Sequence, residues 1–333
     1  MGLSLCFGIY FKFAHFWGLV VEFIRGMALI KRSVQGTYPV ASWMVFFREV
    51  SVVIVSRDQE EVLGACLETL FKTSAPWKEV IVVDNASTDG TTAMLEERFP
   101  KVKHVVLDKP QGMGAFNFGY AAAEGEWVLS LDYNCAPDVD SWQGLCRILA
   151  CDPDSDVISF SVVRQLRENL RQMNRASLVE AGNFVHGGFL FKRSCFQQMG
   201  GFDETIPEQG SELHWAARTF VKGHDILHCA EACIVRSGDL PKEDLSLKVE
   251  QITASYLLLA LRFAPESVWR DLVRLRIRDI LVYSILHQSL AYVRALRNAL
   301  REWVDAPEKI QRLEEADFKR LSVDWRMPFG FLG

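Results

Sequence analysis

With 333 residues, the chain is long enough for one large domain with additions or for two domains. Its 49% apolar and 24% charged residues exclude a disordered chain, and a net charge of -5 gives no support to a nucleic-acid partner. Eight cysteines are scattered without a Cys-x-x-Cys pair, and Cys229 and Cys233 beside His228 lack the partner pair of a zinc site, so the cysteines read as buried free thiols of a reducing cytosol.

Residues 3–30 are rich in Phe, Leu, Val and Trp, and their polar residues Lys12, His15, Glu22 and Arg25 fall within one arc of a helical wheel. No uncharged run reaches the ~18 residues of a spanning helix. The segment therefore reads as an N-terminal apolar helix, lying at a membrane interface or packed on protein. Gly36 and Pro39 mark a linker, which closes an N-terminal segment at 1–48.

From residue 49 the pattern alternates. Apolar runs at 50–55, 80–84 and 127–132 are short and β-branched with little alternation, as suits strands buried on both faces. Helical patterns at 60–72 and 91–98 lie between them, and 102–107 is a further short strand. Residues 109–119, Lys109-Pro-Gln-Gly-Met-Gly-Ala-Phe-Asn-Phe-Gly119, form a glycine-bearing loop that runs into a helix at 120–124, stopped by Gly125. Strands are predicted at 157–163, 188–191 and 232–236, a polar excursion at 165–177, a turn at Gly200-Gly201 and a helix at 211–222. After Pro241 the spacing is helical, over 245–263 and 268–304, and Arg294, Arg297 and Arg301 share one face. That face is either a solvated surface or a contact for anionic lipid or phosphate. The organisation read from these patterns is an N-terminal segment at 1–48, an α/β domain at 49–240 and a C-terminal helical extension at 241–333.

Asp84 and Asp132 end their strands, and in open α/β sheets ligands bind beyond the carboxyl ends of strands. Ser51-Val-Val-Ile-Val-Ser56 followed by Val82-Val-Asp-Asn-Ala-Ser-Thr-Asp-Gly90 resembles the opening of a family 2 glycosyltransferase of the GT-A fold. The resemblance continues through the glycine loop, the Asp132 strand end and Gly200-Gly-Phe-Asp203 to the helix start at Ser211-Glu-Leu213, and so covers about 49–238. It implies a Rossmann-like mixed sheet flanked by helices. The implied activity is transfer of a sugar, with inversion, from a nucleotide-diphosphate donor to the hydroxyl of a glycan or lipid-linked acceptor. Peripheral contact with the cytoplasmic face of a membrane fits the two extensions.

The resemblance carries site residues over one at a time. Ser56, Asp84, Asn85, Gly112, Asn117 and Asp132 match nucleotide-binding positions, although the glycine loop is one residue shorter than the common form. Asp89 and Gly90 read as turn residues opening the next helix. Asp132-Tyr-Asn134 stands where the family has Asp-x-Asp, so Asp132 and Asn134 are the candidate ligands of Mg²⁺ or Mn²⁺, with an amide in place of the second carboxylate. Glu212 takes the place of the catalytic Asp as general base, one methylene longer. Arg236 stands where many relatives have a histidine; it cannot ligate a metal but can bind diphosphate. His186 is an acceptor-side candidate or a structural histidine. Three departures at catalytic positions leave a second reading open, a degenerate GT-A protein with a binding or scaffolding role.

Overall fold

The computed structural model describes residues 32–33, 46–73, 75–138, 142, 149, 155–164, 177–184, 187–238 and 245–321. The N-terminal apolar segment and His186 lie outside the described residues.

Among the described residues, ten strands form one mixed sheet: β1 (Arg32–Ser33), β2 (Val50–Ser56), β3 (Glu79–Asp84), β4 (Lys103–Val106), β5 (Trp127–Asp132), β6 (Cys135–Pro137), β7 (Val157–Val163), β8 (Ser177–Ala181), β9 (Gly188–Lys192) and β10 (Ile226–Arg236). Their order is β1-β8-β10-β7-β9-β5-β2-β3-β4, with β6 paired to β10. Strands β5, β2, β3 and β4 are mutually parallel. β9 runs antiparallel to both β5 and β7, so β7 points the same way as β5, and β10 is parallel to β7. The C-terminal ends of β2, β3, β5 and β10 therefore share one sheet edge.

The near-continuous apolar runs follow from burial on both faces. Val52, Ile54, Val80, Val82, Leu129 and Leu131 point into one core, which α1 (Glu60–Lys72) and α2 (Thr91–Arg98) cover with Leu63, Leu67, Met94 and Leu95. Val53, Ile81, Val128, Phe189 and Phe191 point into the other, covered by α3 (Ala115–Ala122), α4 (Arg193–Met199) and α5 (Ser211–Val221).

The remaining helices are α6 (Leu245–Phe263), α7 (Trp269–Leu286), α8 (Ala291–Asp305) and α9 (Glu315–Arg320). α6 has two buried sides. Leu259 and Phe263 enter the sheet core beside Trp215, while Leu257, Leu258 and Leu261 pack with Val273, Ile280 and Tyr292 of the helical bundle. Among the described residues no helix is long and apolar enough to cross a membrane.

Several elements differ from the sequence reading. The glycine loop is helical from its middle: a 3₁₀ turn at Gly112–Gly114 leads directly into α3 at Ala115, five residues before the expected start. Burial of Ala115, Phe116, Gly119 and Tyr120 on the sheet outweighs the low helix propensity of glycine there. β8 falls at the end of the polar excursion, and α4 occupies a stretch to which the sequence reading gave no element. β10 begins six residues early and carries an irregularity between Cys229 and Cys233 that breaks its alternation. The single C-terminal stretch is two helices, broken near Gln288, whose φ is 47°.

Candidate active site

Three strand ends lie side by side. Ser56 is in register with Asp84, and Val55 with Asp132. Gly188, opposite Leu131, begins β9 at the same edge. Arg236 ends β10 there too, and its Nη2 donates to Asp132 Oδ2 at 2.8 Å. The site is thus assembled by topology from residues 104 positions apart.

The Asp84 carboxylate is buried and already bonded: Oδ1 accepts the Ser87 N–H at 2.8 Å, and Oδ2 the Thr92 hydroxyl at 2.7 Å. It folds the loop after β3 back on itself, while His104 Nε2 lies 3.9 Å away. Asn85 Oδ1 accepts the Gln111 N–H at 2.8 Å, so the strand end positions the start of the glycine turn. Gly112 opens that turn with a φ of 51°. Asp89 does what its place before a helix implies: Oδ1 accepts from Thr91 N and Oγ1, and Oδ2 accepts from Glu60 N, so one carboxylate serves the first residues of both α1 and α2.

Asn117 turns another way. Its Oδ1 accepts the Phe202 N–H at 2.7 Å and its Nδ2 donates to the Phe202 carbonyl at 2.9 Å, tying α3 to the Gly200-Gly-Phe-Asp203 turn. Two residues on, a Cβ at Gly119 would collide with Val53 on β2, so this glycine permits close helix-to-sheet packing. The Asn-x-Gly spacing thus has a complete structural explanation in the chain itself.

Ser56 differs from these residues. Its Oγ is buried and has no hydrogen-bond partner among the described residues. A buried hydroxyl left unpaired at the carboxyl ends of parallel strands, where open α/β sheets take their ligands, is one that a ligand can satisfy.

Asn134 is buried, and its Oδ1 accepts from the Cys135 thiol at 3.4 Å. Arg236 also donates from Nε to Cys135 Sγ at 3.4 Å. Burial opposes the charge on Arg236, but Cys135 and Asp132 outweigh it and raise its pKa above the ordinary arginine value. Burial, reinforced by Asp132, pushes the Cys135 thiol up to about 11, so the sulfur is a neutral neighbour. A divalent cation held by protein oxygens needs several hard donors, chiefly carboxylates. Here one carboxylate already bonds a guanidinium, the second donor is an amide turned to a thiol, and a fixed positive charge stands beside both. These residues do not fit such an ion. Asp156, Cys195 and His224 do place ligand atoms within 4.8 Å of one another. They lie at the starts of β7 and β10 and beside the end of β9, the opposite edge of the sheet.

Glu212 lies in the first turn of α5, half-buried, with one polar contact, from Ser211 Oγ at 3.5 Å. Among the described residues no hydrogen bond or ion pair joins it to Asp132 or Arg236. Its helix is held from both sides. Trp215 packs on Phe189 and Phe191 with ring centroids 5.5 and 5.7 Å away, next to Gly188 at the site edge. On the other side, His214 Nε2 meets the Ser255 carbonyl at 2.9 Å, and Ser255 Oγ donates to the Gln209 carbonyl at 2.6 Å. Ser255 escaped the sequence reading and belongs to no motif of the resemblance. Gly187 entered that reading only as the neighbour of His186, and the tertiary contacts give it its role. A Cβ on Gly187 would strike Arg236 Nη2 and lie 3.4 Å from Asp132 Oδ2.

Residues 51–213, which bring β2, β3, β5 and the start of α5 to this edge, match the model of glycosyl transferase family 2. This segment is a family 2 glycosyltransferase domain. The succinoglycan biosynthesis protein ExoO of Rhizobium meliloti is 26% identical over 162 residues, 48% of this chain and 47% of that protein. An uncharacterized glycosyltransferase of Nostoc is 32% identical over 114 residues, 33% of this chain and 34% of that protein. The chain thus spans about half or less of the length of these two relatives. The mannosyltransferase PcManGT of Pyrobaculum calidifontis, solved with GDP-Man and Mn²⁺, superposes with a TM-score of 0.55 at 20% identity, covering 94% of this chain and 89% of that one. The glycosyltransferase domain therefore has the GT-A fold, a mixed sheet between two helical layers.

Proposed function

We propose that this protein transfers a sugar from a nucleoside-diphosphate donor to an acceptor hydroxyl, with inversion at the anomeric carbon. The observation that carries the reading is the row of Ser56, Asp84 and Asp132 at one sheet edge, with a buried, unpartnered Ser56 hydroxyl at its centre and a cationic Arg236 at its end. The base lies over Ser56 and the Asp84 loop, and the diphosphate lies toward Arg236. Glu212 takes the proton from the acceptor hydroxyl, and that oxygen forms the new bond to the anomeric carbon. The bond from that carbon to the diphosphate oxygen breaks on the opposite face, and its electron pair leaves with the diphosphate.

The GDP-Man bound by the Pyrobaculum enzyme supports a nucleotide-sugar donor, and the name of the Rhizobium relative supports a polysaccharide acceptor. The departures at Asn134 and Arg236 favour a second reading, a domain that binds its nucleotide without turnover. Titration with UDP, GDP and dTDP, followed by a donor-consumption assay, separates the two. The enzyme reading expects tight binding of one base and slow consumption of its sugar nucleotide. It also expects Glu212→Gln to lower kcat by about 100-fold or more while leaving nucleotide affinity unchanged. Equal rates for Glu212→Gln and wild type would remove Glu212 from the mechanism, and binding without any consumption would favour the second reading.

A further inference from the structure

We propose that Arg236, seated on Asp132, supplies the positive charge that faces the donor diphosphate, so that donor binding at this site needs no divalent cation. The inference rests on the reading of this edge as a nucleoside-diphosphate site. Its basis is the geometry of the pair itself.

An Asp-x-Asp pair offers two negative charges that a divalent cation neutralises. Here, among the described residues, Asp132 and Arg236 carry one charge of each sign and Asn134 none, so these three side chains sum to neutral. A divalent ion entering beside Asp132 would meet a guanidinium bonded to the same carboxylate, and repulsion between the two cations opposes it. A diphosphate brings negative charge and meets no such opposition. The guanidinium suits it, because its planar fork presents several N–H donors to phosphate oxygens.

Arg236 is also fixed in place before any ligand arrives. Nε is held by Cys135 Sγ and Nη2 by Asp132 Oδ2, and Nη1 has no hydrogen-bond partner among the described residues. The backbone beneath is pinned as well: Arg236 pairs with Cys135 across β10 and β6, and the Ser237 N–H donates to the Asn134 carbonyl at 2.8 Å. Gly187, with a φ of 154°, clears the remaining space, since any side chain there would displace the guanidinium. A donor oriented in this way loses little reorganisation energy when charge grows on the leaving diphosphate. Asp132 thereby becomes a positioning residue for Arg236 instead of a metal ligand.

The test is calorimetric titration of the full chain with UDP, GDP and dTDP, each in EDTA and in Mn²⁺, on wild type and on Arg236→His. The wild type is expected to bind its preferred nucleotide in EDTA within about threefold of its affinity in Mn²⁺, and to bind the monophosphate of the same base about tenfold more weakly. Arg236→His is expected to lose about tenfold in EDTA and to regain affinity in Mn²⁺, because imidazole can ligate the ion. Wild-type binding that requires Mn²⁺ overturns the inference and leaves the donor reading intact. Equal affinity of Arg236→His and wild type in EDTA also overturns it. Binding of no nucleotide in either buffer overturns both readings. The wild-type comparison stands even if the variant fails to fold.

Discussion

A hydroxyl buried without a partner costs about 1–3 kcal/mol, and Ser56 Oγ is in that state at the end of β2. The carboxylate of Asp84 and the amide oxygen of Asn85, its neighbours along the edge, are by contrast engaged in shaping nearby loops. The difference yields a prediction at the scale of one atom. Ser56→Ala removes an unsatisfied group without creating a cavity, so its stability should equal or exceed that of the wild type, while nucleoside-diphosphate affinity falls by about tenfold through loss of one hydrogen bond. Urea melts and titrations of the same preparation check both halves. A variant that melts early and binds normally would make Ser56 a structural residue. The residues legible in sequence at this edge were those that end a strand, because strand ends are marked by where an apolar run stops. Asn117 was legible as a motif position, yet its bonds to Phe202 could not be read, since they join residues 85 positions apart.

At the scale of elements, α5 is the connection between the candidate base and the C-terminal helices. Its His214 is fully buried, and burial is the main cause that pushes the imidazole down to about 3, against some help from the Ser255 carbonyl. The sign follows from proton counting. Between pH 6.5 and 3 the unfolded chain binds a proton at this histidine and the folded chain does not, so stability falls as pH falls through that window. The expected loss between pH 7 and pH 5 is about 2 kcal/mol from this group alone. His214→Gln, which cannot titrate, should lose correspondingly less over the same interval, as denaturant midpoints at the two pH values would register. Equal losses would mean that His214 is protonated in the folded state. The turn before α5 is secured separately. Burial raises the Asp203 carboxyl, but Thr205 and the Lys309 ammonium outweigh it and bring the pKa to about 2. Arg262, buried on α6, bonds Asp203 at 3.2 Å and Glu302 at 2.7 Å. The arginine face of α8 shows the same use of charge: Arg294 pairs with Glu250 at 2.8 Å and Arg301 with Asp305 at 3.5 Å, as on a solvated surface.

For the whole molecule, the change of texture after Pro241 is a boundary in the pattern and not in the core. Leu259 and Phe263 from α6, with Leu313, Phe318 and Leu321 beyond the bundle, lie in the same apolar cluster as Trp215, Phe189 and Val128. Leu259→Ala should therefore cost about 2–5 kcal/mol and shift one common unfolding transition, followed equally by far-UV dichroism and tryptophan fluorescence. Two separated transitions, with only the later-sequence helices affected, would show that the C-terminal helices unfold alone. The sequence by itself determined the strands of this sheet edge, β2, β3 and β5, and the helices α1 and α2 between them, because a doubly buried strand and an amphipathic helix each write a distinct pattern over a few residues. It also determined that Asp84 and Asp132 end parallel strands. Only the tertiary structure decided that Arg236 reaches Asp132, that Gly187 makes room for the pair, and that Asn117 serves the turn at Phe202. Those outcomes depend on the order in which ten strands line up, and no short-range periodicity encodes that order: β10 lies parallel to β5 only because β9 and β7 stand between them.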